Sequence, residues 1–303
     1  MRYTRAQHRR MALAGRLRAE GIGWAFMIPM FFFFVLFMII PVILVFWWSL
    51  RQGGLVTGSH FIGFHNFATL TGQPAAPTAL GNTFKFALMS IPTTLVLAFF
   101  VGSLLSRVNR GGAVYRFLIY FPALVPGVIA ALIWVFLSNV DFGLFNNVLG
   151  IFGIAPKVWL GQNLALPVLA GTDVWINTGF WAIFFLSAII GLPPELYEAA
   201  EVDGANARQR LLRITLPQLR RMVLFAVVVA TIWGMQCFDT SFVLTSGGPG
   251  TSTLTAVYVV YNYIFGSTDK VGYGAAVSVV LLLVIFVLTA IQLRALRGRR
   301  GGD

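Results

Sequence analysis

At 303 residues the chain is 58% hydrophobic and only 11% charged, with a mean hydropathy of +0.81, whereas a soluble domain carries about 25% charged residues to clothe its surface. That composition excludes a water-soluble globule, a disordered segment and a collagen-like fibre. The formal charge of +12 would favour nucleic acid in a soluble protein, but the charges sit in short segments between long apolar runs, so a membrane is the expected partner and nucleic acid is not. The single Cys237 and the scattered His8, His60 and His65 support neither a disulfide framework nor a metal site.

Residues 1–20 form an arginine-rich tail. The charge-free run that follows, Gly21 to Leu50, is too long for a secretory signal, whose apolar region is about 7 to 15 residues, and reads as an uncleaved first span over 24–48. Pro29 and Pro41 kink it or mark its ends. The connection from Arg51 to Lys85, with Gly53, Gly54, Gly58 and Gly63, leaves two readings open, a small folded cap or a structured linker. Spans follow at 86–106 and 117–138. Between Asp141 and Gln162, Phe142, Leu144, Phe145, Val148, Leu149 and Ile151 alternate with Gly and Asn, which fits an amphipathic helix lying in the interface.

A fourth span covers 168–192 and a fifth 222–245, with the polar stretch 193–221 between them. The glycine-rich run Thr245 to Thr253 lacks the Gly-Lys-Ser/Thr ending of a phosphate loop and reads as a tight turn. A last span, 272–293, leads to a tail over 294–303. Each run supplies the ~20 helical residues that a bilayer core of ~30 Å demands. Residues 21–293 are therefore expected to form one all-α polytopic domain of six transmembrane helices. Eighteen of the 22 basic residues fall in the two tails and the second and fourth connections, against Arg51, Lys85, Lys157 and Lys270 on the other side. The positive-inside rule then puts both termini in the cytoplasm.

The fourth connection carries the most specific pattern. Pro193-Pro194 opens a helix whose first turns hold Glu195, Glu198 and Glu201, where the helix dipole favours anions, with Asp203 following. Gly204 supplies the freedom for a sharp turn. A second helix from about Ala205 sets Leu211, Leu212, Ile214 and Leu216 against Arg208, Arg210 and Arg213 until Pro217 ends it. The product is an elbow of two short helices, and its four acids argue against a loop merely resting on an anionic leaflet.

Glu198-Ala199-Ala200, Gly204, then Ile214-x-Leu216-Pro217 resembles the EAA loop of binding-protein-dependent ABC importer permeases. Phe61-Ile62-Gly63-Phe64-x-Asn66-Phe67, Tyr115-Arg116-x-x-x-Tyr120-Phe121-Pro122, Thr245-x-Gly247-Gly248-Pro249 and Gly272-Tyr273-Gly274-Ala275-Ala276 are similar to the carbohydrate branch of that family, the maltose and glycerol-phosphate type. The resemblance implies a type I ABC importer permease fold in a prokaryotic cytoplasmic membrane. It also implies a second, similar permease as heterodimer partner, two ABC ATPase subunits that bind ATP and Mg, and an external solute-binding protein. Glu198, Ala199, Ala200, Asp203, Gly204, Ile214 and Pro217 would couple this chain to the ATPase. With no Walker motif and no catalytic cluster of its own, the chain is expected to be a conduit without cofactor, not an enzyme.

Polar groups inside spans mark a candidate solute path, because an Asp at a helix centre costs about 2.5 to 3.5 kcal/mol on insertion scales. Asp173 with Asn177 and Phe180, and Asp239 with Gln236 and Trp233, fall on shared helical faces. They would form one aromatic-lined chamber suited to an uncharged sugar or polyol, with a di- or oligosaccharide favoured over glycerol phosphate because no Lys or Arg lies within a span. Other readings stay open: Asp239 caps a helix end, Asp173 snorkels, and Asn177 and Gln236 glue helices together. From different classes, a secondary transporter of inverted repeats would need a counterpart of the elbow at Arg107 to Arg116, where none is found, and a membrane enzyme would need paired acids beside a histidine.

Overall fold

Residues 24–54, 58–108, 110–267 and 269–297 are described by the structure, a computed structural model; the tail 1–20 and the end of the tail 294–303 lie outside them. Helix α1 (Trp24–Ser49) is apolar all round, and none of its most apolar stretch is buried by the rest of the chain. Neither proline ends it. Ahead of Pro41 the helix widens into a π segment, Val35–Ile39, which makes room for a ring that has no N–H to give and would clash with the preceding turn.

The first connection folds into a cap. Strands β1 (Arg51–Gly54) and β2 (Gly58–Phe61) pair antiparallel, a small β element in the expected all-α domain, and α2 (His65–Thr69) follows. The Asn66 amide donates to the Ser49 and Arg51 carbonyls at 2.9 and 2.8 Å, and the Arg51 guanidinium lies 3.8 Å over the Trp47 ring. These contacts fasten the cap to the end of α1.

Helix α3 (Ala75–Leu105) and helix α7 (Ala165–Ile190) form the most extensive helix pair of the molecule. Lipid tails are as apolar as leucine, so close packing and not water exclusion holds such pairs together. At Gly102 an added Cβ would stand 2.7 Å from the Ala182 carbonyl, and this absent side chain lets the two backbones meet. Around the contact, Leu95 and Ala98 of α3 and Trp181, Ala182 and Phe185 of α7 enclose Ala226 and Ala230 of α10 (Arg220–Gly234).

The run 117–138, which the sequence presents as a single span, is bent. Helices α4 (Gly112–Leu124) and α5 (Gly127–Leu137) meet at 93°, because Pro126 withholds an N–H and forces Val125 into an extended conformation, φ −79° and ψ 125°. Helix α9 (Ala207–Gln218) meets α10 at 71°. The run 222–245 is also interrupted: α10 stops at Gly234, and α11 (Asp239–Thr245) starts only after a break at 235–238. Among the described residues four helices are long and apolar enough to cross a bilayer alone, and the count reaches six if each bent pair is one span.

The segment between α5 and α7 carries α6 (Leu144–Ile151). The Asn146 side chain organises it by accepting from the Lys157 N–H and the Trp159 indole while donating to the Val140 and Lys157 carbonyls. Residues 245–255 are a turn held by Thr253, whose hydroxyl donates to the Gly248 carbonyl at 2.8 Å, and by Asn82, whose amide donates to the Thr251 carbonyl at 2.7 Å. The Thr245, Thr253 and Thr255 hydroxyls are all engaged with protein partners, whereas the buried Ser252 hydroxyl has none. Helices α12 (Ala256–Phe265) and α13 (Val271–Arg297) complete the chain.

Candidate functional site

Helix α8 (Glu195–Val202) opens the elbow with the Glu195 and Glu198 carboxylates in its first turn, where unpaired N–H groups and the helix dipole stabilise them. It closes with the Ala205 N–H on the Ala200 carbonyl at 2.8 Å and the Gly204 N–H on the Glu201 carbonyl at 3.0 Å, the double bond of a Schellman motif. That closure needs a left-handed residue, and Gly204 has φ +71° with nothing within 4 Å of an added Cβ. Backbone conformation, not space, demands glycine there. Two residues later Asn206 caps α9 in a reciprocal capping box with Gln209.

Across the elbow the Tyr197 and Thr215 hydroxyls are 2.9 Å apart and Arg210 pairs with Glu201 at 3.4 Å. Pro217 does not end the second helix. A π segment, Leu211–Thr215, precedes it, the helix runs on to Gln218, and the bend falls at Leu219, since the widened turn absorbs the proline ring. Ala200 is buried, Ile214 is half-buried, and Glu198, Ala199, Asp203 and Pro217 are exposed. An acidic, partly apolar surface therefore faces away from the spans.

Inside the bundle a cavity of about 250 Å³ lies between α3, α7 and α10, lined by Ile91, Thr94, Asp173, Asn177, Trp181, Ala230, Trp233 and Gly234. The Asn177 amide donates to an Asp173 carboxylate oxygen at 2.9 Å, leaving its own carbonyl free to accept. Trp233 stacks at tilted angles on Phe180 and Trp181, with centroids 5.5 and 5.7 Å away. No Lys or Arg lines this cavity.

The family described as the binding-protein-dependent transport system inner membrane component matches residues 94–300. The chain belongs to that family. It is 30% identical to the trehalose/maltose transport system permease protein MalF of Thermococcus litoralis, over 94% of this chain and 97% of that one. It is 31% identical to the sn-glycerol-3-phosphate transport system permease protein UgpA of Escherichia coli, over 93% and 96%. A solved bacterial ABC transporter involved in the import of alginate superposes with a TM-score of 0.82 at 22% identity, covering 96% of this chain and 100% of its own. The fold is that of an ABC importer permease. The chain is accordingly a multi-pass transport subunit and not an enzyme.

Within this permease the six path candidates do not share one chamber. Asp173, Asn177 and Trp233 meet at the cavity, whereas Phe180 only backs Trp233 and lines a separate apolar recess with Phe117 and Tyr120. Gln236 and Asp239 are displaced because the helical spacing that would align them with Trp233 fails at the 235–238 break. Gln236 is exposed. Asp239 stands in the first turn of α11 with its carboxylate against Gly127, the first residue of α5, where an added Cβ would come within 2.8 Å of it. One carboxylate thus stands at two helix starts, where both helix dipoles favour it.

Sequence reasoning overlooked Ser90 and Thr94. Elsewhere on α3, Thr83, Thr93 and Ser103 donate to the carbonyl four residues back, as hydroxyls in bilayer helices normally do. Ser90 and Thr94 are buried and leave their hydroxyls without a partner. Thr94 lines the cavity, and Ser90 is within reach of Asp173 without a formed hydrogen bond. Their spacing of four in an otherwise apolar run was the available signal.

Proposed function

We propose that this permease moves an uncharged sugar or polyol, with a di- or oligosaccharide favoured, through the cavity at Asp173, Asn177, Thr94 and Trp233. The observation that carries this reading is the free Thr94 hydroxyl beside the Asn177 amide and the Asp173 carboxylate, against the aromatic faces of Trp181 and Trp233. An unmade buried hydrogen bond is costly, and a hydroxyl-rich solute satisfies such groups, whereas a phosphate would meet a carboxylate and no cation. Relatives named for trehalose/maltose and for arabinooligosaccharides support the class. The relatives named for sn-glycerol-3-phosphate keep glycerol phosphate as the competing reading.

In this reading the chain works in the cytoplasmic membrane beside a second permease, two ATPases that hold ATP and Mg, and an extracytoplasmic binding protein. A solved transporter of similar fold was captured with an alginate-bound periplasmic protein, which supports that arrangement. Segment 193–221 is the coupling element within a single transmembrane domain, 21–293. Glu198, Ala199, Asp203, Gly204 and Pro217 form its ATPase-facing surface with Ala200 and Ile214 packed behind it, and both termini are cytoplasmic.

Uptake of a panel of disaccharides, sugar alcohols and sn-glycerol-3-phosphate by the reconstituted transporter, with its binding protein, tests the solute class. Preference for glycerol phosphate would sink it. With Cys237 replaced, Ser59→Cys should react with an impermeant thiol reagent from outside intact cells and Gln209→Cys only after permeabilisation; the reverse would overturn the orientation.

A further inference from the structure

Between the end of α3, the end of α7 and the elbow lies a recess of about 510 Å³. Arg107, two residues past α3, and Arg210, on α9, both line it. Two like charges share one hollow, and the acid paired with Arg210 is Glu201, whose side chain is 75% exposed, so this pair offsets little. Arg107 has no side-chain hydrogen bond or ion pair with any described residue.

The hydroxyls around the recess are already engaged. Ser103 donates to the Phe99 carbonyl, Ser106 to the Ser103 carbonyl, and Tyr197 and Thr215 bond to each other. The free hydrogen-bonding capacity is therefore guanidinium N–H, and it comes from two separate structural elements. One planar fork satisfies the two oxygens of a carboxylate, whereas the several oxygens of a tetrahedral phosphate can engage two forks at once. Ile189, Leu192 and Leu211 give the same recess an apolar wall, and Ile190, where α7 ends, is exposed beside it. An amphiphile with an anionic head at the boundary of the spans matches that combination.

We propose that this recess binds a phosphate-ester anion, from a phospholipid headgroup or from solution, held between Arg107 and Arg210. The ligand would bridge a span and the elbow without touching the solute cavity. The site does not depend on which solute the permease carries.

The assembled transporter tests it in two arms. In the first, complexes from bilayers containing phosphatidylglycerol are counted for retained lipid by native mass spectrometry. The wild type should keep one more phosphatidylglycerol per chain than Arg107→Gln, and Arg294→Gln, at the far end of α13, should match the wild type. In the second, radiolabelled inorganic phosphate is titrated onto complexes in pure phosphatidylcholine discs, where binding of one equivalent that weakens at least about tenfold in Arg107→Gln would identify a soluble phosphate as the source. Ser103→Leu, which fills the recess and leaves the charge, should reproduce the loss and serves if Arg107→Gln fails to assemble. Equal lipid retention together with equal phosphate binding in wild type and variants would overturn the proposal.

Discussion

The elbow closes its Schellman motif, its capping box and its Tyr197–Thr215 contact within residues 195–217, whereas the polar cavity draws its walls from α3, α7 and α10, far apart in the chain. Local hydrogen bonding builds the first, and packing of distant helices builds the second. A change in the elbow should therefore alter coupling while the bundle stands, and a change at a cavity wall should alter either assembly or solute handling, depending on whether it touches backbone packing or a free polar group.

The largest effect is expected where the cavity's scaffold meets itself. Gly102→Leu would push a side chain into the Ala182 carbonyl, an overpacking of about 3 kcal/mol or more, and should abolish recovery of assembled transporter; wild-type yield and thermal stability would show that the α3–α7 contact is looser than described. Next, Gly204→Val places a β-branched residue at φ +71°, a strain of about 1–3 kcal/mol, and should cut solute-stimulated ATP hydrolysis about tenfold with assembly intact. Gly204→Asn, which tolerates the left-handed region better, should recover most of the loss. Equal activity of the two variants would remove backbone conformation as the reason for glycine.

A smaller effect separates a solute contact from helix glue inside the cavity. Thr94→Val deletes a hydroxyl that has no protein partner, so stability should hold while the transport KM rises about three- to tenfold, as the loss of a hydrogen bond of about 0.5–1.5 kcal/mol predicts. Thr93→Val, at a hydroxyl already committed to the Met89 carbonyl, should leave the KM unchanged. A stability loss in Thr94→Val with no change in KM would make it glue. The smallest effect is expected of Gln236→Ala, which stands outside the cavity lining: sugar preference at matched protein level should match the wild type, and a shifted preference would bring the 235–238 break into the solute path.

Legibility followed the same division. Pro193-Pro194, the run of acids and Gly204 each act on the backbone within a few residues, so the two-helix elbow could be read directly. Pro217 was misread as a stop because a π segment five residues long depends on how the helix is seated, which no local propensity encodes. The chamber was half legible. Asp173 and Asn177 stand four apart on an unbroken helix and stay together, while Gln236 and Asp239 were aligned with Trp233 by a helical period that stops at Gly234.

Composition, the lengths of the apolar runs and the local signals of the elbow were enough to determine a multi-span helical membrane protein with a two-helix elbow, since bilayer thickness and backbone hydrogen bonding act on contiguous residues. Tertiary structure alone decided which polar side chains meet. The free hydroxyl of Thr94 acquires meaning only beside Asp173 and Asn177, and Asp239 comes against Gly127 only because the Val125-Pro126 bend brings the start of α5 to it. Both outcomes depend on helix breaks and crossings, whose energies are summed over residues distant in the chain and leave no periodic trace in it.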